Sequence, residues 1–398
     1  MIPSLVTRRW LTVLAALPLL ACEVESGEEA PASLPRAAEG RLAAAFGRGD
    51  ARSTADDVEQ ARRDTAWRRV VQFEGIRAPR DTTNRERWDS LTIAAVNEQP
   101  MRIPVGEGDE GASVLRTQIL LDRALFSPGV MDGRWGQNTE KAIYWFQRRH
   151  GLPATGELDQ ATFDRLVESA NEPGALVRPH RLTPEDVEGP FVEIPEDIYA
   201  RADLECLCYE SLPEKLAERF HTSADLLRQL NPGVDLATVT AGTELAVPTS
   251  RTDDIRMAVG VATIRISDGG RFLHALDSSG TILFHAPSTL GSSYSPSPSG
   301  DYQITSITEE PWWHYQPNLI EGADPGPDAQ IPPGPNNSVG MVWMALSEPH
   351  FGIHGTSAPE TIGYTTSSGC VRLTNWDALF LARRIGENVR VEFVDTVD

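Results

Sequence analysis

Residues 354–372 read H-G-T-S-A-P-E-T-I-G-Y-T-T-S-S-G-C-V-R. His354 stands sixteen positions before Cys370, with Gly369 beside the cysteine and Arg372 two further on. A thiol attacks as its thiolate. With an ordinary pKa of about 8.5, only a few per cent of a free cysteine is ionised at neutral pH. A neighbouring imidazole takes the proton and holds the charge. Gly369 lets the backbone turn tightly, so that adjacent N–H groups point at a developing oxyanion. Residue types and spacing together make Cys370 and His354 the candidate nucleophile and base.

Working outward, the motif continues as I-H-G-T, then I-G, then S-x-G-C-V-R-L-T-N-W-D, and is preceded by I-P-P-G-P-N-N-S-V-G at 331–340. This set resembles the L,D-transpeptidase catalytic domain of the YkuD type, over 256–396. The resemblance implies a two-step acyl transfer. Cys370 attacks the third-residue carbonyl of a tetrapeptide stem and the terminal D-Ala leaves. The resulting thioester passes to an acceptor amine, making a 3→3 cross-link without ATP or any cofactor. It further implies that the oxyanion sits against amides near Ser368, Gly369 and Cys370, that the carbonyl of Gly355 orients His354, and that Arg372 holds a substrate carboxylate. Asn375 and Asp377 are expected to fix the loop and the helix start. One departure stands out. The family often has S-H-G-C where this chain has Ser367-Ser368-Gly369-Cys370, so a second imidazole is missing.

The flanking sequence is β-rich. Met257–Ile266, Phe272–Leu276, Thr281–Ala286, Tyr302–Thr308, Val339–Leu346 and Val389–Phe393 read as short strands between Gly, Ser and Pro turns, with one helix near Trp376–Ile385. Many strands and few helices predict a mainly-β, sandwich-like catalytic domain. The Pro- and aromatic-rich stretch 309–338 is expected to flank the site entrance, with Trp312, Trp313 and Tyr315 as candidates to line a peptide groove, Trp313 and Tyr315 foremost.

Upstream, residues 113–168 predict three short helices. Leu115, Ile119, Leu121 and Leu125 recur at helical spacing, Asn138 and Thr139 are set to cap the second helix, and Asp159 the third. The pattern V-L-R-T-Q-I-L-L, M-D-G-R-W-G-Q-N-T, A-I-Y-W-F-Q-R-R-H-G-L and T-G-E-L-D resembles a peptidoglycan-binding domain. Residues 169–196, rich in Pro, Glu and Gly, read as a linker. Residues 197–249 predict a strand, two helices and a closing strand, with Ser223 capping the second helix. L-N-P-G and A-G-T-E-L-A-V-P there resemble a LysM module, a small α+β unit that binds glycan strands. The usual G-D-T-L entry is replaced by Tyr209-Glu210-Ser211-Leu212.

Arg8 and Arg9 precede an apolar run from Trp10 to Ala21 that is too short to span a bilayer and suited to a signal peptide over 1–21. Leu19-Leu20-Ala21-Cys22 resembles a lipoprotein cleavage site, which makes Cys22 the expected lipid anchor to a membrane of the cell envelope. Residues 22–112 read as an acidic tether, partly helical or disordered. The net charge of −21, from 36 basic and 57 acidic residues, excludes a nucleic-acid surface. The partners implied are peptidoglycan stem peptides and glycan strands in the periplasm. Cys206 and Cys208 are expected to remain unbridged to each other or to act as an unusual redox pair, because side chains alternate in an extended chain.

Several other readings compete. The same acyl-enzyme serves a carboxypeptidase or a protein-anchoring enzyme. A zinc hydrolase needs two His and a carboxylate, and His350 and His354 are four apart but flank Gly352 and follow Pro349, which disfavours a helix. A cysteine peptidase of the wall-hydrolase type has Cys before His, the reverse of this order. The last is a wall-binding lipoprotein without activity.

Overall fold

The structure is a computed structural model, and it describes residues 60–62, 64, 67–70, 91–170, 174–255, 257, 259–320 and 323–394. The expected signal segment and Cys22 lie outside the described residues.

Helices α1 (Ala112–Arg123), α2 (Gln137–Arg149) and α3 (Gln160–Ser169) form the expected three-helix unit. Leu115, Ile119, Ile143, Phe146 and Leu166 meet in its core. Asp159 caps α3 by accepting from the Thr162 amide at 2.8 Å, satisfying one of the orphan donors of the first turn. Asn138 and Thr139 do not cap α2. Gly136 occupies that position, and the two side chains lie buried inside the first turn. Part of the expected tether is also core: Leu91, Val96 and Val105 are buried against the same helices.

Strand β1 (Val177–Arg181) pairs antiparallel with β2 (Glu244–Pro248). Between them lie two short helices, Pro184–Val187 and Ile198–Ala202, the second standing where a strand was expected, and then α4 (Leu212–Arg219) and α5 (Ala224–Leu230), capped by Ser211 and Ser223. The first strand of this βααβ unit therefore falls within 169–196, which is not a plain linker. Only the register with β2 reveals it, since V-R-P-H-R carries charges and a proline and suits a ladder of two strands. Cys206 and Cys208 are joined in a disulfide, contrary to expectation. Their Cα atoms are 5.2 Å apart, less than the roughly 6.6 Å of two extended residues, so the chain bends there and brings both side chains to one side.

The C-terminal strands are β3 (Thr263–Ser267), β4 (Phe272–Leu276), β5 (Ile282–Pro287), β6 (Gly300–Glu309), β7 (Trp313–Tyr315), β8 (Ala329–Ile331), β9 (Val342–Leu346), β10 (Gly352–His354), β11 (Val371–Arg372) and β12 (Arg390–Val394). Eight of them make one mixed sheet in the order β11-β10-β9-β6-β12-β3-β4-β5. The sandwich-like expectation is met by one curled sheet, not by two separate ones. Long β6 makes the curl: its first half pairs with β12 and its second with β9, with a register shift between Ile304 and Ser306. Such an irregularity bends a strand and strengthens its twist. Ile264, Phe284, Met344, Ile353 and Val371 then share a single core, which α6 (Asn375–Ala382) helps to fill through Ala378, Phe380 and Leu381.

The helical unit, the βααβ unit and the sheet are packed together through buried polar contacts. Arg251 pairs with Asp122 on α1 and, at 2.5 Å, with Asp377 on α6. Its own amide donates to Asp122 at 2.7 Å. Ser127 donates to Asp377 at 2.8 Å. His221, just beyond α4, lies against Asp122 at 3.3 Å and stacks on Trp376, with ring centroids 5.1 Å apart. Burial alone would raise the Asp122 carboxyl, but the Arg251 and His221 charges outweigh it and hold the group well below the ordinary range. Removing one member of such a network leaves the others charged and uncompensated, at a cost of about 3–5 kcal/mol. Arg251→Met is predicted to lower unfolding free energy by about that amount in urea titration; a change below about 1 kcal/mol would mean the network contributes no more than a surface pair.

Candidate active site

Strand β10 carries His354, and parallel β11 begins one residue after Cys370. The register sets Ile353 opposite Val371 and His354 opposite Arg372. The two residues singled out from the sequence thus arrive on neighbouring strands, and Cys370 sits at the point where its chain enters the sheet.

Cys370 is half-buried and is the free cysteine among the described residues. Its thiol lies 3.6 Å from the carbonyl oxygen of His350. Burial pushes the thiol pKa above its ordinary value, while a hydrogen bond from the Gly352 amide and the charge of Arg372 pull it down. Burial wins. The site as folded therefore favours the neutral thiol, so an attacking thiolate requires a base.

His354 is buried. Its Nδ1 is 2.7 Å from the carbonyl oxygen of Gly355. A carbonyl only accepts, so Nδ1 carries the hydrogen and Nε2 is left with its lone pair. The ring stacks on Trp343, with centroids 5.3 Å apart and an interplanar angle of 22°. Trp343 was not foreseen from the sequence. It lies on β9, one strand over, and only the antiparallel register pairing His354 with Trp343 brings the rings together.

Gly369 has φ 111°, a backbone region that L side chains rarely adopt. A Cβ there would also come within 2.7 Å of the Phe351 ring. The turn is pinned from both sides: Ser367 Oγ donates to the Cys370 carbonyl at 2.6 Å, and Ser297 Oγ to the Gly369 carbonyl at 2.8 Å. The Gly369 amide donates to Ser367 Oγ at 3.1 Å. That amide is engaged in this conformation. Ser368 is exposed at the tip of the turn.

Gly355 packs so closely on Asn375 that any Cβ would overlap Asn375 Oδ1. That oxygen accepts from the amides of Met341 at 3.0 Å and Thr356 at 3.1 Å. Thr374 caps α6, accepting from the Asp377 amide at 3.2 Å. Asn375 thus holds the loop, as expected, while the helix start falls to Thr374.

Arg372 is half-buried beside the thiol, its backbone paired with Thr289. Tyr315 does not line a groove. It is buried with Leu207 and Ile331, and Trp313 packs half-buried against it. The ring that faces solvent is Trp312, 60% exposed. The cause is the disulfide-bearing segment before α4. Leu207 is fully buried, its amide donating to Pro333 O and its carbonyl accepting from Asn336 N, so this segment covers the face of the β7–β8 hairpin that the two aromatics occupy.

The zinc reading loses its geometry: His350 is exposed at a bend with φ 67°, and among the described residues no three His, Cys, Asp or Glu side chains are grouped to hold a metal.

Comparison with known proteins finds two family matches. The L,D-transpeptidase catalytic domain (YkuD) matches residues 261–392, and a putative peptidoglycan-binding domain matches 110–166. A putative L,D-transpeptidase YkuD of Bacillus licheniformis is 31% identical over 183 residues, spanning 45% of this chain and 90% of that protein. The probable L,D-transpeptidase ErfK/SrfK of Escherichia coli is 28% identical over 192 residues, spanning 46% of this chain and 59% of that protein. Among solved structures, an L,D-transpeptidase from Xylanimonas cellulosilytica aligns over 75% of this chain and all of that one, at 15% identity and a TM-score of 0.33.

Gly369→Ala is predicted to slow alkylation of Cys370 by iodoacetamide at least about tenfold, because the backbone conformation alone costs about 1–3 kcal/mol and the Phe351 contact adds to it. Wild-type reactivity in this variant would show that the turn tolerates a side chain.

Proposed function

This chain belongs to the L,D-transpeptidase family, and on that premise we propose that Cys370 is the nucleophile of a peptidoglycan acyl transfer with His354 as its base. The reading is carried by a burial-raised thiol at the entry to β11 and, on the neighbouring strand β10, an imidazole whose Nδ1 is committed to Gly355 O. The thiol proton goes to Nε2 as sulfur attacks the third-residue carbonyl of a tetrapeptide stem. The imidazolium then protonates the departing D-Ala amine as the tetrahedral intermediate collapses to a thioester. An incoming side-chain amine of a second stem loses its proton to the same imidazole, attacks the thioester, and releases the thiol with a new amide bond. The amides of Ser368 and Cys370 are the proposed oxyanion donors, since that of Gly369 is engaged. Arg372 is the proposed partner of a stem carboxylate and also favours the thiolate through its charge. Water as acceptor makes the same site a carboxypeptidase.

The missing imidazole at position 368 does not affect this assignment, because residue 368 is exposed at the turn while the proposed base comes from β10. The helical unit at 110–166 is the proposed hold on peptidoglycan. The unit bounded by β1 and β2 carries L-N-P-G and A-G-T-E-L-A-V-P, the residues that resemble a LysM module, and is proposed as a second contact with glycan strands. Cys22 is proposed to carry a lipid that anchors the protein in the cell envelope, a reading supported by Arg8, Arg9, the apolar run and Leu19-Leu20-Ala21-Cys22.

Incubation of the purified protein with disaccharide tetrapeptide, followed by mass analysis of the muropeptides, tests the reaction. Cross-linked dimer with loss of D-Ala is expected; tripeptide alone would shift the reading to a carboxypeptidase. Cys370→Ala should abolish turnover, and His354→Ala should reduce it by at least about 100-fold. Full activity in the His354 variant would refute the base assignment. In cells, Cys22→Ala should release the protein from the membrane fraction, and unchanged fractionation would count against the anchor.

A further inference from the structure

We propose that Glu218, supplied by α4 of the βααβ unit and not by the catalytic sheet, is a positioning residue for acyl transfer, acting through the side-chain amide of Asn375. The proposal rests on the roles assigned above to Cys370 and His354. Asn375 Nδ2 donates to both carboxylate oxygens of Glu218, each at 3.2 Å, and to Pro335 O at 3.3 Å. Its Oδ1 accepts from Met341 N and Thr356 N. An amide turned end over end would set NH2 against two N–H donors and oxygen against a carboxylate and a carbonyl, losing every one of these bonds. Glu218 therefore fixes which way the amide faces. The amide in turn fixes the loops on either side of Gly355, whose carbonyl orients His354 at 2.7 Å. Neither Gly340 nor Gly355 leaves room for a side chain against Asn375 Oδ1, so the arrangement has little slack.

Glu218 is held on its other side by the Tyr209 hydroxyl at 3.2 Å. Tyr209 is one of the residues at which the βααβ unit departs from the usual LysM entry. One turn earlier on α4, Glu214 accepts from Asn336 Nδ2 at 2.7 Å, a second carboxylate reaching the same loop. Burial pushes the Glu218 carboxyl up to about 7, with Glu214 adding to it and the Asn375 and Tyr209 bonds opposing. A carboxyl whose pKa is raised on folding stabilises the fold when protonated, and that contribution is lost as pH rises through about 7. A buried group that weakens the fold at neutral pH is a poor scaffold, since an apolar residue of similar size serves packing as well or better. Its geometry serves the Asn375 amide instead.

The test uses the full-length protein with Glu218→Leu, Glu218→Ile as a second acceptor-free variant, Glu218→Gln, Asn375→Ala, and Glu218→Leu combined with Asn375→Ala. One readout is the pH dependence of Cys370 alkylation by iodoacetamide, located by peptide mass, which needs no peptidoglycan. The other is kcat and KM for disaccharide tetrapeptide. The acceptor-free variants should melt no lower than wild type at about pH 8. Their thiol titration should move up by about one unit, and kcat should fall about tenfold or more with KM nearly unchanged. Glu218→Gln, which keeps an acceptor, should recover most of the kcat. In the Asn375→Ala background, Glu218→Leu should cost nothing further. Wild-type titration and kcat in the acceptor-free variants would overturn the proposal, as would an undiminished loss in that background. A wild-type protein that alkylates normally but transfers no acyl group would refute the acyl-transfer reading, and the thiol titration would still decide the role of Glu218.

Discussion

The first turn of α6 is where the molecule is tied together, and its strongest tie is the buried pairing of Asp377 with Arg251 and, through that guanidinium, with Asp122. Three consecutive residues do different work there. Asn375 faces the loops around Gly355 and the carboxylate of Glu218, Trp376 stacks on His221, and Asp377 takes the guanidinium. The helical unit and the βααβ unit both meet the catalytic sheet at this turn. A buried charge network gives little net stability compared with an apolar core of the same volume. Its effect is to permit only one arrangement of the three units, because any shift strands a charge. The packing around it is equally specific: Lys141 of α2, fully buried, donates to the carbonyls of Gly270 and Arg271 at the start of β4.

The chemistry of the site depends on desolvation. The thiol of Cys370 is enclosed enough for burial to outweigh Arg372 and the Gly352 amide. A free thiolate is disfavoured at rest, and nucleophile and proton acceptor must act together. Enclosure also strengthens each hydrogen bond that a developing oxyanion would receive. The imidazole is held on three sides, by Gly355 O, by the Trp343 face and by the β10–β11 register. It pays little reorganisation when the proton arrives.

Most of the site was legible in the sequence because acyl transfer needs particular residue types close in space, and here they lie within one short stretch of chain. The regular strands β4, β5 and β6 were legible from alternation and turn residues. What escaped did so for identifiable reasons. β10 and β11 have three and two residues, too few to show a period, so the placement of His354 beside Arg372 was invisible. β1 carries Pro179 between charged residues and owes its existence to β2. The Cys206–Cys208 bridge needs a bend that no residue spacing announces. Tyr315 reads as a groove residue from its place in the aromatic stretch 309–338, but Leu207, distant in sequence, covers it. Trp343 and Glu218 reach the site only through tertiary contacts, and their sequence surroundings are those of an ordinary strand and an ordinary helix.

The central claim is that a covalent acyl group resides on one sulfur. Mixing wild-type protein with disaccharide tetrapeptide, quenching in acid during turnover, and measuring intact mass followed by peptide mapping tests it most directly. The account predicts a mass increase equal to the stem less its terminal D-Ala, located on the peptide that contains Cys370. Turnover with no such adduct at any quench time, or an adduct on another residue, would contradict it.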